Sequence, residues 1–195
     1  GGGHDYADLA IDPARPDFAG RVADIDLRQP ISAATAAAIE AGMDRFAVLV
    51  FSDQHIDDAQ QLDFSRHFGP LETATGDIVQ GAERRLSMDV NDISNLDRDG
   101  RVLPRDDRKR LFSLGNMLWH SDSSFKATPA KYSLLSARVI PDHGGNTEFA
   151  DMRTAWDALD GETQALARIW CATTRSFTRA GCWGSPISPR RSGGA

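Results

Sequence analysis

The chain has 195 residues, a formal net charge of -6 and 41% hydrophobic residues. That length suits one domain with a real core, and the acidic balance argues against a nucleic-acid partner, which would need a basic face. No apolar run approaches a membrane span, the first residues lack the basic and apolar regions of a secretory leader, and the two cysteines, Cys171 and Cys182, make no disulfide framework, so a cytoplasmic location is expected.

Residues 1–20, rich in Gly, Ala, Asp and Pro, are expected to form an N-terminal arm. Val22 to Leu27 alternates apolar and polar and predicts a strand. Ser32 is placed to cap a helix with Ala36, Ile39, Met43 and Phe46 at helical spacing. The apolar run from Ala47 to Phe51 predicts a buried strand. Asp57 caps a second helix carrying Ala59, Leu62 and Phe68, closed by Gly69-Pro70. No period is legible over 71–90. From Asp97 to Arg110 both charge signs mix around Gly100 and Pro104, which reads as a solvated loop or, alternatively, as a lid over a site. Strands are expected at 115–121, 132–140 and 147–151, separated by a loop at Pro129 and a turn at Pro141-Asp142-His143-Gly144-Gly145. Asp160 caps a last helix from Glu162 to about Arg168. Late strands without crossover helices fit a barrel or jelly roll with flanking helices better than a parallel α/β sheet.

The chemistry concentrates in Asn116-Met117-Leu118-Trp119-His120-Ser121-Asp122-Ser123-Ser124-Phe125. On a strand, residues i and i+2 share a face, so His120 and Asp122 can reach one metal ion from one side, as two-thirds of a two-histidine, one-carboxylate iron site. A lone His-x-Asp is also commonly just a hydrogen-bonded pair. Here Trp119 and Phe125 offer a dry wall, and Ser123 and Ser124 offer donors to the carboxylate. The Gly144-Gly145-Asn146-Thr147 turn would return Thr147 beside the pair.

Trp119-His120-Ser121-Asp122, followed by Gly144-Gly145-Asn146-Thr147-Glu148-Phe149-Ala150-Asp151-Met152-Arg153, resembles the taurine/2,4-dichlorophenoxyacetate dioxygenase family, nearest its 2,4-dichlorophenoxyacetate branch. Lys131-Tyr132-Ser133-Leu134-Leu135-Ser136-Ala137, Phe68-Gly69-Pro70-Leu71-Glu72 and Asp92-Ile93-Ser94-Asn95 match as well, so the likeness runs from about residue 18 to about residue 168. It implies an α+β fold with a mainly β core, a double-stranded β-helix (jelly roll) with flanking helices. It also implies an Fe(II)- and 2-oxoglutarate-dependent oxidoreductase that consumes O2 in aromatic-compound catabolism. His120 and Asp122 would be metal ligands and Thr147 would hydrogen-bond 2-oxoglutarate. A small anionic organic substrate such as an aryloxyalkanoate would be hydroxylated, with release of succinate and CO2, and a hydroxylated ether carbon would collapse to a phenol and glyoxylate. Full-length relatives are expected to be homo-oligomers, with no nucleic-acid or membrane partner.

Asn116, Trp119, Arg84 and Arg85 are the candidate substrate contacts, although two loop arginines are more often simply solvated. The lysine that follows Gly-Pro-Leu-Glu in herbicide-degrading relatives has no counterpart in Gly76-Asp77-Ile78-Val79-Gln80. The resemblance also calls for a distal histidine and an arginine beyond the motif. The other histidines, His4, His55, His67 and His143, do not suit the distal position. The fold is therefore expected to be incomplete at the C-terminus: an arm over 1–20, the N-terminal part of the dioxygenase domain over 21–168, and a non-family tail over 169–195. Back-translated with chosen synonymous codons and read one base earlier, the stretch from Ile169 to Gly184 becomes Asp-Leu-Val-Cys-Asp-His-Ser-Leu-Leu-Tyr-Ser-Arg-Gly-Val-Leu-Gly, which is family-like. A change of frame near Arg168 is expected, with little or no activity in the chain as written. The alternatives are a sulfonate (taurine-type) dioxygenase, a non-catalytic fragment, and a cupin-like metal-binding module that would recruit His143.

Overall fold

The computed structural model describes residues 3–6, 9–72, 93–94, 99, 101–107, 114–124, 126 and 128–169. They belong to two compact units: Gly1–His120 with Leu134–Asp151, and Ser121–Ser133 with the residues from Met152 onward.

The first unit is built on a three-stranded sheet, β1 (Ile11–Arg15), β2 (Phe18–Val22) and β3 (Leu49–Phe51), in the order β1-β2-β3. β1 and β2 form an antiparallel hairpin with Ile11 opposite Val22 and Arg15 opposite Phe18. β2 and β3 run parallel, Gly20 opposite Leu49 and Val22 opposite Phe51. A parallel pair needs a crossover, and helix α1 (Ala33–Phe46) supplies it. Two expectations change here. Residues 11–20 are not an arm but two strands of the sheet, with Pro13 tolerated because β1 is an edge strand. The expected strand from Val22 to Leu27 is the end of β2 followed by irregular backbone, since Asp24 takes a positive φ of 56°. That stretch is held by a side chain: Gln54 Nε2 donates to the Ile25 and Ser52 carbonyls at 2.8 and 2.9 Å, and its Oε1 accepts from the Leu27 amide at 2.9 Å.

The helices follow their local signals. The Ser32 hydroxyl accepts from the Thr35 amide, and α1 ends where Ala47 turns left-handed at φ 59° and its amide bonds the Met43 carbonyl. Ala47 is thus a cap rather than the first residue of β3. α1 buries Thr35, Ala36, Ile39, Gly42 and Phe46. A Cβ at Gly42 would sit 2.5 Å from Ile11 Cδ1, so the helix packs closely on the sheet and a larger residue there would displace the end of the Ile11 side chain. Helix α2 (Asp58–Arg66) carries a full capping box between Asp57 and Gln60. Its buried residue is Phe64, while Ala59 is exposed. Val22, Ile25, Leu27, Ile31, Ala36, Ile39 and Phe64 form the core.

On the surface, the Arg28 guanidinium grips the Asp26 carboxylate at 2.9 and 2.8 Å. Hydrogen bonds from the Arg28 side chain, then from its amide, lower the Asp26 carboxyl from 3.8 to about 2. A depressed acid stabilises above its unfolded value and loses that contribution as pH falls through the folded value. Acid unfolding of the native chain should therefore show a contribution that is present above about pH 4 and fades toward about 2, and Arg28→Ala should remove it. Superimposable acid-unfolding curves of the two proteins would refute the link.

The rest of the first unit departs from expectation. Residues 114–117 form a single 3-10 turn, and no strand is assigned within 115–121, 132–140 or 147–151. A strand exists only through its ladder, and among the described residues no strand pairs with these segments. Their apolar side chains stay exposed, Val139 at 81% and Ile140 at 79%. In the second unit, helix α3 (Met152–Asp157) was not anticipated, and helix α4 (Gly161–Ile169) follows its expected cap. Asp160 Oδ1 accepts from the Thr163 amide at 2.8 Å and Oδ2 from the Thr163 hydroxyl at 2.9 Å. Those bonds lower the Asp160 carboxyl below the usual carboxylate range. The Arg168 guanidinium lies 5.3 Å from the centre of the Trp156 ring. Among the described residues no helix is long and apolar enough to cross a membrane.

Candidate functional site

The motif begins at the 3-10 turn, Leu114–Met117, which carries Asn116 on its exposed surface. The Leu118 amide closes the turn on the Gly115 carbonyl at 3.1 Å. The chain then runs irregularly through Trp119 and His120. Trp119 is 70% exposed and so builds no dry wall in this unit; Phe125 lies outside the described residues. His120 and Asp122 do not share a face of one strand as expected, because the backbone there is not a strand. His120 closes one stretch of the first unit, and Asp122 belongs to the second.

His120 nevertheless has the chemistry of a metal ligand. Its Nδ1 lies 2.7 Å from the Leu118 carbonyl oxygen. A carbonyl only accepts, so Nδ1 carries the proton and the lone pair of the neutral ring sits on Nε2. Histidines that bind metals are held in this way by a carbonyl or carboxylate behind them. Asp122 adds a hard carboxylate oxygen donor. Past it, Ser123 adopts φ 54° and its carbonyl accepts from the Lys126 amide at 2.9 Å, so the chain turns away. The donor types therefore fit a divalent cation such as Fe(II). Among the described residues no group of three or more His, Cys, Asp or Glu side chains gathers to hold one. His143 is exposed in its turn.

Thr147 lies in irregular, exposed backbone of the first unit, two residues after Gly145, where Gly144 and Gly145 take φ 71° and 73°. A Cβ on Gly145 would stand 3.0 Å from Pro141 Cγ. Gly145→Ala is therefore expected to strain the turn by about 1–2 kcal/mol and speed limited proteolysis between 142 and 148, with the melting of the core unchanged. An unaltered cleavage rate would show that the turn does not depend on glycine. Arg84 and Arg85 lie outside the described residues; of the 97–110 loop, residues 99 and 101–107 are described. Sequence reasoning missed the Leu118 carbonyl behind His120, because a backbone acceptor leaves no mark in the residue types.

The pattern described as "Taurine catabolism dioxygenase TauD, TfdA family" matches residues 10–192. A 2,4-dichlorophenoxyacetate dioxygenase, alpha-ketoglutarate-dependent, from Cupriavidus pinatubonensis is 46% identical over 157 residues, which are 80% of this chain and 55% of that protein. A (S)-phenoxypropionate/alpha-ketoglutarate dioxygenase from Sphingobium herbicidovorans is 39% identical over 65% of this chain and 40% of its own. Among solved structures, AAD-2 in complex with Mn(II) and N-oxalylglycine is similar at TM-score 0.78 and 52% identity, over 82% of this chain and 56% of that one. The chain spans about half the length of the curated relatives it matches.

Proposed function

The chain belongs to the TauD, TfdA family of taurine catabolism dioxygenases, and from that premise we propose that it serves an Fe(II)- and 2-oxoglutarate-dependent dioxygenase of small aryloxyalkanoate substrates. The observation that carries the reading is the contact behind His120: the Leu118 carbonyl lies 2.7 Å from its Nδ1 in a Trp-His-Ser-Asp motif, the kind of backing that metal-binding histidines have. In this reading His120 and Asp122 hold the metal, and the Thr147 hydroxyl donates to a carboxylate of 2-oxoglutarate. Asn116 and Trp119 face the substrate, and Arg84 and Arg85 anchor its carboxylate by charge-assisted hydrogen bonds. When bound, iron(II) and 2-oxoglutarate supply the oxidising chemistry, in which dioxygen is consumed, succinate and CO2 leave, and the substrate gains a hydroxyl. The exposed segments 132–140 and 147–151 become strands of a double-stranded β-helix, whose ladders would pair their backbone and cover their apolar side chains. Aryloxy acids are favoured over sulfonates because the two relatives above are named for phenoxy acids.

The test is a panel of 2,4-dichlorophenoxyacetate, a phenoxypropionate and taurine with Fe(II) and 2-oxoglutarate, read as succinate formed by the purified protein. The reading requires turnover of a phenoxy acid or, with turnover at background, joint binding of Mn(II) and N-oxalylglycine. A chain that does neither overturns it. The frame change near Arg168 stays part of the proposal, and the family match through residue 192 counts against it. Sequencing the gene across that codon decides: no family-like continuation in another register refutes the frame change.

A further inference from the structure

We propose that Arg138 is a positioning residue that clamps the segment carrying Thr147 onto the N-terminal turn of α2. Resting on the oxygenase reading for its link to 2-oxoglutarate, the proposal takes its geometry from the first unit alone. Arg138 interrupts the apolar run Leu134-Leu135-Ser136-Ala137-Arg138-Val139-Ile140, and its guanidinium reaches back about eighty positions along the chain. Nη1 donates to the Ile56 carbonyl, and Nη2 donates to Asp58 Oδ1 and to Gln61 Oε1, each at 2.9 Å. Gln61 answers in the other direction, its Nε2 donating to the Leu134 carbonyl at 3.3 Å. One side chain thus binds three acceptors around a helix start, and the helix binds the segment's backbone.

The helix is a firm anchor. Its first turn is fixed by the Asp57–Gln60 capping box, and Phe64 seats it in the core. Asp58 in the first helical turn suits the positive end of the helix dipole, and Arg138 meets that carboxylate with a planar, multidentate fork that lysine cannot reproduce. The anchored segment, by contrast, has no ladder of its own among the described residues and keeps Leu135, Val139 and Ile140 exposed. Segments of that kind open at low cost. From Arg138 the chain passes Pro141, which fixes φ, and the two positive-φ glycines Gly144 and Gly145 before reaching Thr147. With its start clamped and its turn restricted, this stretch has little freedom in where it delivers the Thr147 hydroxyl.

The experiment compares the native chain with Arg138→Ala, Arg138→Lys, Asp58→Ala and the Arg138→Ala/Asp58→Ala double variant. Thermolysin cleavage is mapped by mass spectrometry, and Mn(II) and N-oxalylglycine affinities are measured by titration. Arg138→Ala is expected to speed cleavage within 134–150 by about tenfold or more, the scale of losing charge-assisted hydrogen bonds. Cleavage across α1 and the sheet should stay unchanged. Arg138→Lys should rescue only part of the protection, and the double variant should be no worse than Arg138→Ala. N-oxalylglycine affinity should fall while Mn(II) affinity holds, a split that general destabilisation would not give. Unchanged cleavage in Arg138→Ala, equal acceleration everywhere, or undiminished N-oxalylglycine affinity overturns the clamp as a positioning device. If the native chain does not bind N-oxalylglycine, the link to 2-oxoglutarate falls with the oxygenase reading, and the cleavage maps alone decide whether the clamp exists.

Discussion

Replacing Asp122 with alanine is expected to lower Mn(II) or Fe(II) affinity by ~100-fold or more, beyond the 10–100-fold that loss of an outer-shell partner costs a metal site. The reason is the donor set. His120 offers one imidazole nitrogen, whose orientation is fixed from behind by the Leu118 carbonyl. Asp122 brings the negative charge and the hard oxygen that divalent Fe and Mn favour. Asp122→Asn keeps the size and one carbonyl oxygen but removes the charge, so it should fall between alanine and the native residue. His120→Ala should match Asp122→Ala. Thr147→Val should leave metal affinity intact and weaken N-oxalylglycine alone, which separates the metal from the cosubstrate. Titration of each variant with Mn(II), alone and then with N-oxalylglycine, checks all four. Native metal affinity in Asp122→Ala would remove Asp122 from the site.

Phe64→Ala should cost about 3–5 kcal/mol of folding stability, the range for a buried phenylalanine. Phe64 is 7% exposed and sits between two other rings, edge-on to Phe51 at 5.8 Å and to Phe68 at 5.2 Å between centroids. Truncation removes both aromatic contacts and leaves a cavity where α2 meets the sheet. Domains of ordinary size hold only about 5–15 kcal/mol in total, so the variant should be close to unfolding at room temperature. Ala59→Ser, on the exposed face of the same helix, should stay within about 0.5 kcal/mol of the native chain. Urea unfolding followed by Trp fluorescence and far-UV circular dichroism measures both. Equal midpoints for Phe64→Ala and the native chain would mean that the aromatic cluster does not hold α2.

The pattern of what was legible follows the range of the interactions. Ser32, Asp57 and Asp160 were each read as caps, and each caps its helix, because the amide a cap satisfies lies two or three residues away. Periodicity found Ala36, Ile39 and Phe46 on the buried side of α1 but did not single out Phe64 in α2, since a nine-residue helix offers too few turns to fix its phase. β1 was hidden in a Pro-containing, polar stretch because an edge strand on the surface need not alternate. The expected strands at 115–121, 132–140 and 147–151 had the right residues and no ladder.

By itself the sequence determined three helix starts, at Ser32, Asp57 and Asp160, the family through its Trp-His-Ser-Asp and Gly-Gly-Asn-Thr motifs, and the residue types offered to a metal and a cosubstrate. These depend on neighbours along the chain or on side-chain chemistry. Only the tertiary structure decided which segments found hydrogen-bonding partners. It folded residues 11–22 into a hairpin and left the motif's backbone irregular. It brought Arg138 back to Asp58 and Gln61. A ladder or a clamp across about eighty positions is a pairing between distant parts of the chain, and such a pairing is settled only when the chain is folded.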